Sequence, residues 1–202
     1  MLKELDKKYQ HYVGIDEAGR GCIGGSMFFV GTVLKPGITI DQIVFADDSK
    51  KLTPKKREQM YYKLKELVNY HVVRTSAEVI DSITLARALK ESLINIKEWA
   101  EDTPIIYDGS TNYKVPGIET LIKADAKISL VSAASIIAKY LKDRESLALS
   151  EKYPEFDFAG HKGYINKKHT QEIIKYGYTK HHRKSYNVKA FKDLNILTYK
   201  EK

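Results

Sequence analysis

Two acids, Asp16 and Glu17, stand side by side where an apolar run, Tyr12-Val13-Gly14-Ile15, gives way to a glycine-rich stretch. A third, Asp108, ends the run Pro104-Ile105-Ile106-Tyr107 and is followed by Gly109. A fourth, Asp125, lies between Lys123 and Lys127, just before a segment rich in small residues. Singly, each position has an ordinary structural use. Acids and glycines are common where strands meet solvent, and Ser129, Ser132 or the Asp125 region could cap the helix that follows. Adjacent side chains on a strand also point to opposite faces, so Asp16 and Glu17 would share one site only if the strand twists or bends there. Taken together, three strand or loop ends carrying carboxylates, with no cysteine cluster and no His-x-x-His spacing, predict an oxygen-rich pocket. Such donors suit a hard divalent cation, magnesium or manganese, over zinc. Paired hard cations held by carboxylates are a recurrent means of hydrolysing phosphodiesters.

The charge pattern points the same way. The chain has 202 residues and a formal net charge of +8. Residues 160–184 concentrate that charge, with seven bases against the single acid Glu172, and they also hold four of the six histidines. A second basic run comprises Lys50, Lys51, Lys55, Lys56 and Arg57. Patches of this kind are the footprint expected for a phosphate backbone, although composition alone also allows a solvated lysine-rich surface. A basic protein with a hard-cation pocket is expected to be a nuclease. The one cysteine, Cys22, excludes an internal disulfide, fits a reducing compartment and reads as a small packing residue. The charged start of the chain lacks the apolar core of a signal peptide, and no apolar run reaches the length of a membrane span. A cytoplasmic protein is therefore expected.

The elements that must position the acids are legible as periodicities. Tyr12–Asp16 and Met27–Leu34 read as strands joined by a turn containing Gly19, Gly21, Gly24 and Gly25. Thr53-Pro54 starts a helix running to about Asn69, and His71–Ala77 reads as a strand. Ser82–Glu101 reads as one long helix, Pro104–Asp108 and Ile118–Lys123 as strands, and Ser129–Leu149 as a helix whose small residues allow close approach to another backbone. His169–Tyr176 is a short amphipathic helix ended by Gly177. The order predicts an α/β domain of mixed sheet over residues 1–150, with a small basic helical extension over 151–202 in the same folding unit.

Five motifs in order carry a specific resemblance. Asp16-Glu17-Ala18-Gly19-Arg20-Gly21, Asp48-Ser49-Lys50-Lys51-Leu52-Thr53, Lys123-Ala124-Asp125 before Ser132-Ala133-Ala134-Ser135-Ile136-Ile137-Ala138-Lys139, Asp143-Arg144 and His161-Lys162-Gly163-Tyr164 resemble ribonuclease HII over roughly residues 12–187. The resemblance implies a ribonuclease H-like α/β fold, a mixed sheet flanked by helices with a small C-terminal helical extension. It implies an endoribonuclease that hydrolyses the RNA strand of RNA–DNA hybrids and cuts on the 5′ side of single ribonucleotides in duplex DNA, leaving a 5′-phosphate and a 3′-hydroxyl. Asp16, Glu17, Asp108 and Asp125 match the family's four carboxylates, which hold two magnesium or manganese ions. Gly19, Arg20 and Gly21 match the element that senses the ribose 2′-hydroxyl, Tyr164 the tyrosine that packs on the neighbouring deoxyribose, and Ser49, Lys50 and Lys51 a phosphate grip. A role in ribonucleotide excision repair, a monomeric state and no membrane association complete the expectation.

The chain departs from the family pattern at Cys22 and Ser26, where prolines are usual, and at Ile165, where glycine is usual. These changes bear on the turn and on contacts near it. His161, His169, His181 and His182 have no compact ligand spacing and are expected at the surface or facing phosphates, whereas Trp99 is expected in the core.

Overall fold

The structure, a computed structural model, describes residues 5–9, 11–44 and 52–201. Five strands form one mixed sheet: β1 (Val13–Ala18), β2 (Met27–Leu34), β3 (Val68–Thr75), β4 (Ile105–Asp108) and β5 (Ile118–Leu121). Their order is β3-β2-β1-β4-β5, with β2 antiparallel to β1, and β4 and β5 each parallel to its inner neighbour. The helices are α1 (Pro54–Leu67), α2 (Ala77–Ile83), α3 (Leu85–Ala100), α4 (Ala124–Lys127), α5 (Ser129–Lys152), α6 (Phe158–His161) and α7 (Lys167–Tyr176). This is the mixed sheet flanked by helices that the sequence predicts.

The chain divides into two compact units. The first takes in the described residues of Met1–Ala18, Phe28–Val73 and Leu89–Leu141. One face of its sheet packs on α5 and α1: Val30, Ile106, Leu64, Ala133, Ala134 and Ile137 share one buried cluster. Close packing on that face requires Gly14, since a Cβ there would lie 2.5 Å from the backbone nitrogen of Val131. The Thr32 hydroxyl, on the same face, donates to the Leu130 carbonyl at 2.8 Å. On the other face a Cβ at Gly31 would meet Ile96 and Trp99 of α3. The acid at the start of α5 is Asp6, which accepts from the Ser129 amide (2.8 Å) and hydroxyl (2.6 Å). It does there what a capping side chain does from within the helix. Asp125 instead lies inside the short α4.

The second unit comprises Gly19–Met27, Arg74–Ala88 and Lys142–Lys202. Its core gathers Ile23, Leu149, Tyr153, Phe156, Phe158 and Ile173.

The helix expected over Ser82–Glu101 begins at Leu85 as α3, and α2 (Ala77–Ile83) lies almost wholly in a stretch where no helix is expected; Thr84, with φ 74°, separates the two. A β-branched residue in that conformation ends a helix, and the Thr84 hydroxyl then accepts from the Arg87 amide at 3.4 Å. Elsewhere ends move slightly. Helix α1 yields to β3 at Val68, and α7 begins at Lys167 behind the Asn166 cap.

Candidate active site

Strand alternation decides how the adjacent acids are used. Asp16 pairs with Val30 across the sheet and so faces α5, where Ser135 hydrogen-bonds its carboxylate. Parallel pairing of Gly14 with Ile106 and of Ile15 with Tyr107 puts Asp108 on that same face. Helix α4 adds Asp125, and its first amide, of Ala124, donates to Asp108 at 3.2 Å. One carboxylate oxygen from each of Asp16, Asp108 and Asp125 lies within 4.8 Å of the other two. Glu17 turns to the opposite face and is not one of these three. The Tyr107 hydroxyl, on that face, donates to Glu17 Oε2 at 2.9 Å. The strand keeps its alternation at these two residues.

Burial sets the electrostatics. Asp16 and Asp125 are buried and Asp108 is half-buried. The pKa of Asp16 is raised well above the carboxylate range, first by burial and then by the charge of Glu17. That of Asp108 is raised by burial and next by Asp125. Clustered carboxylates held away from water are costly to keep ionised unless a cation joins them. Their all-oxygen donor set is the kind that hard divalent ions take.

The second unit holds the remaining mapped residues. Gly19, Arg20, Gly21 and Cys22 form a turn closed by a hydrogen bond from the Cys22 amide to the Gly19 carbonyl (3.2 Å). Cys22 pairs across an isolated antiparallel bridge with Tyr164, so the turn and the tyrosine are neighbours. Tyr164 is 46% exposed, and Arg20 and Gly21 are exposed beside the buried Gly19. Cys22 is fully buried, as a packing residue should be. Of the departures from the family pattern, Ser26 has a visible role: its hydroxyl accepts from Arg74 Nε (3.0 Å) and its amide donates to Glu145 (2.7 Å). Ile165 is exposed. Ser49, Lys50 and Lys51 lie outside the described residues.

Two expectations are corrected. His161, His169 and His182 are buried, with relative exposures of 6, 0 and 1%, and they form one interior cluster instead of a surface patch: His161 stacks on His169, which hydrogen-bonds His182. Arg183, counted in the basic stretch, is fully buried as well, while Lys167, Lys168, Lys175, Lys180 and Lys184 are exposed. Trp99 is half-buried and stacks on His71. Two residues with contacts to the acids were given no role from sequence, Tyr107 and Ser135. The parity of Tyr107 with Glu17 on paired strands, and the recurrence of serine at 129, 132 and 135 along one side of α5, were the available signals.

Comparison with known proteins converges on one group. A family model described as Ribonuclease HII matches residues 13–189. The ribonuclease HII of Sulfurovum sp. (strain NBC37-1) is 40% identical over 184 residues, covering 91% of this chain and 95% of the relative. That of Campylobacter concisus (strain 13826) is 43% identical over 176 residues, covering 87% and 92%. Among solved structures, the PCNA:RNase HII complex from Archaeoglobus fulgidus contains a chain that superposes with a TM-score of 0.74 at 27% identity, covering 89% of this chain and 96% of that one. No helix among the described residues is long and apolar enough to cross a membrane. With the fold, the aspartate cluster and near-complete coverage of these relatives in agreement, the chain belongs to the ribonuclease HII family of metal-dependent endonucleases that act on the RNA of RNA–DNA hybrids.

Proposed function

We propose that this protein cuts the RNA strand of hybrids and also duplex DNA containing a single ribonucleotide, on the 5′ side of that ribonucleotide, leaving a 3′-hydroxyl and a 5′-phosphate. The observation that carries the reading is the convergence of Asp16, Asp108 and Asp125, from three separate elements, with oxygens within 4.8 Å of one another. Asp16, Asp108 and Asp125 would hold two magnesium or manganese ions, and Glu17, on the other face of the strand but near enough for its charge to raise the pKa of Asp16, would act from beside the cluster. Bound divalent ions supply an activated water and charge stabilisation at the leaving oxygen. The chain's own work is positional. Ser135 orients Asp16, the Ala124 amide orients Asp108, and Tyr107 tethers Glu17.

Recognition of the ribonucleotide falls to Gly19, Arg20, Gly21 and Tyr164. In the turn, both Arg20 and Gly21 keep negative φ, so the backbone does not require glycine at position 21. A Cβ added at Gly21 meets nothing within 4 Å. A glycine that neither conformation nor neighbours demand fits a backbone that a ligand approaches closely. The exposed ring of Tyr164 beside the turn suits the deoxyribose of the following nucleotide. A hydroxyl-reading contact rejects a sugar without the hydroxyl, because its polar partners are then left unpaired. Ser49, Lys50 and Lys51 belong to the same reading as the phosphate grip, and exposed lysines at 167, 175 and 180 extend the basic surface. Ribonucleotide excision by a monomer in the cytoplasm is the setting we infer, supported by the basic surface and by a lone, buried cysteine.

The test is a duplex DNA carrying one ribonucleotide, incubated with magnesium and analysed for the position and termini of the nick. Cleavage 5′ of the ribonucleotide with the stated ends is expected. Tyr164→Ala should lower cleavage of that duplex more than cleavage of a continuous hybrid. Cleavage of continuous hybrids only would overturn the single-ribonucleotide reading.

A further inference from the structure

Beneath the glycine turn lies a guanidinium with an unusual set of partners. Arg183 has no solvent exposure. Its Nη1 donates to the Arg20 carbonyl (2.9 Å) and to the Tyr186 hydroxyl oxygen (2.6 Å), and its Nη2 donates to the Gly25 carbonyl (3.0 Å). Tyr186 in turn donates its hydroxyl proton to the same Arg20 carbonyl at 2.6 Å. Arg183 is anchored through its own amide, which donates to Ile23 (2.7 Å). Nε finds no hydrogen-bond partner among the described residues. A buried cation held by neutral carbonyls and a phenol is a poor way to stabilise a fold, since desolvating the charge costs more than neutral partners return. What the arrangement does secure is the orientation of one peptide group.

The Arg20 carbonyl is held from two directions, and no peptide bond in the described chain is cis. In a trans peptide the N–H points opposite to the C=O of the same unit. Pinning the Arg20 oxygen inward therefore turns the Gly21 N–H outward, on the exposed side of the turn. Among the described residues nothing accepts from that N–H. Two hydrogen bonds on the carbonyl, one from a full positive charge, also polarise the peptide and make its N–H a stronger donor.

We propose that Arg183 and Tyr186 are positioning residues for sugar recognition, a clamp that aims and polarises the Gly21 N–H towards the ribose 2′-hydroxyl. This rests on the reading of the glycine turn as the ribose sensor. Neither side chain touches the substrate, and both act through the Arg20–Gly21 peptide. Tyr186 is half-buried and at the edge of the clamp, so it is the residue to change first.

The experiment compares unmutated protein with Tyr186→Phe and Arg183→Lys on a single-ribonucleotide duplex and on a continuous hybrid, both of which present the 2′-hydroxyl. The Gly21 amide resonance is followed in the free protein. Removing one hydrogen bond from the clamp should lower kcat/KM about 3- to 10-fold on both substrates. The melting temperature of Tyr186→Phe should stay close to that of the unmutated protein, and the Gly21 amide proton should move upfield. Arg183→Lys keeps the charge but loses the planar fork, and should cost more. If Arg183→Lys fails to fold, Tyr186→Phe decides alone. Unchanged kcat/KM and an unchanged Gly21 resonance in Tyr186→Phe would overturn the clamp. Failure of the unmutated protein to cut the single-ribonucleotide duplex would count against the proposed function and not against the clamp, which the hybrid and the resonance still test.

Discussion

At the scale of single residues, the acids divide by the parity of one strand. Asp16 and Glu17 are neighbours in sequence yet face opposite sides of the sheet. The sequence marks both as acids at a strand end, but only the sheet register tells which one meets Asp108 and Asp125. The two central acids, Asp16 and Asp108, are held in a fold that disfavours their ionised forms, as their raised pKa values record. That cost is the reason a cation should matter, and it gives a two-sided prediction. Asp108→Asn removes a charge that Asp125 and burial oppose, so in metal-free buffer its melting temperature should rise. Cleavage should fall by at least roughly a hundredfold, because groups one shell further out already cost 10- to 100-fold when changed. Wild-type cleavage by Asp108→Asn would remove this acid from the site. A lower melting temperature without metal would show that the clustered charges are not strained. Tyr107 shows how such sites hide from sequence reading. It looks like one more apolar strand residue, and its hydroxyl matters only because Glu17 lies on the same face of the neighbouring strand.

At the scale of elements, the close approach of β1 to α5 carries the site, since Asp16 on the strand meets Ser135 on the helix. Gly14→Ala should disrupt that approach. A Cβ would fall 2.5 Å from the Val131 nitrogen and 2.6 Å from the Leu130 carbonyl carbon, both backbone atoms that cannot rotate away. Overpacking of this kind costs about 1–3 kcal/mol, and the upper end is expected here. Gly21→Ala, whose Cβ meets nothing, is the control and should leave the melting temperature unchanged. Equal losses in the two variants would show that the tight strand–helix contact is not what Gly14 serves. The small-residue start of α5 announced this contact in advance, because alanines and serines in a helix serve close packing. The break between α2 and α3 was not announced. The helical periodicity is legible only from Ser82 onward, so α2 itself goes unread, and the backbone angle of Thr84 separates the two helices. The capping of α5 by Asp6 was equally hidden, since the two partners are 123 positions apart. Local pattern reads local structure well, and long-range hydrogen bonds remain outside it.

At the scale of the whole molecule, composition reported a basic chain rich in histidine near its C-terminal end, and the fold sorts that charge into two classes. The exposed lysines at 167, 175, 180 and 184 remain available to phosphates, whereas Arg183 and three histidines are interior. The histidine partners fix neutral rings. His182 Nδ1 accepts from the Thr179 amide (2.9 Å), leaving its Nε2–H to donate to His169 Nε2 at 3.0 Å. His169 then donates through Nδ1 to the Tyr164 carbonyl (2.9 Å). His161 Nδ1 accepts from the Gly163 amide (3.0 Å), so its Nε2–H donates to Glu172 (3.1 Å). Burial accordingly drives the ring of His161 down to about 3 and that of His169 to about 4, and that of His182 well below the usual value. The unfolded chain protonates these rings near pH 6.5 and the folded one does not. Unfolding therefore takes up protons below about pH 6.5, so stability is full above that pH. As pH falls towards the folded values, each ring removes roughly 1.4 kcal/mol of stability per pH unit. Glu172, whose own pKa is raised by burial, opposes the trend as it protonates, and so do Asp16 and Asp108. The expected outcome is a melting temperature that declines between about pH 6.5 and about pH 4, while ring-proton NMR signals show His161, His169 and His182 neutral in the folded protein. His161→Gln keeps a donor for Glu172 and cannot titrate, so its decline should be shallower. Ring signals that titrate near pH 6.5 in the folded state, or a slope that His161→Gln leaves unchanged, would show that the cluster does not hold these histidines neutral. Because the same histidine cluster holds the Tyr164 carbonyl and the Gly163 amide, acid should loosen the Tyr164 segment before cleavage chemistry itself is affected.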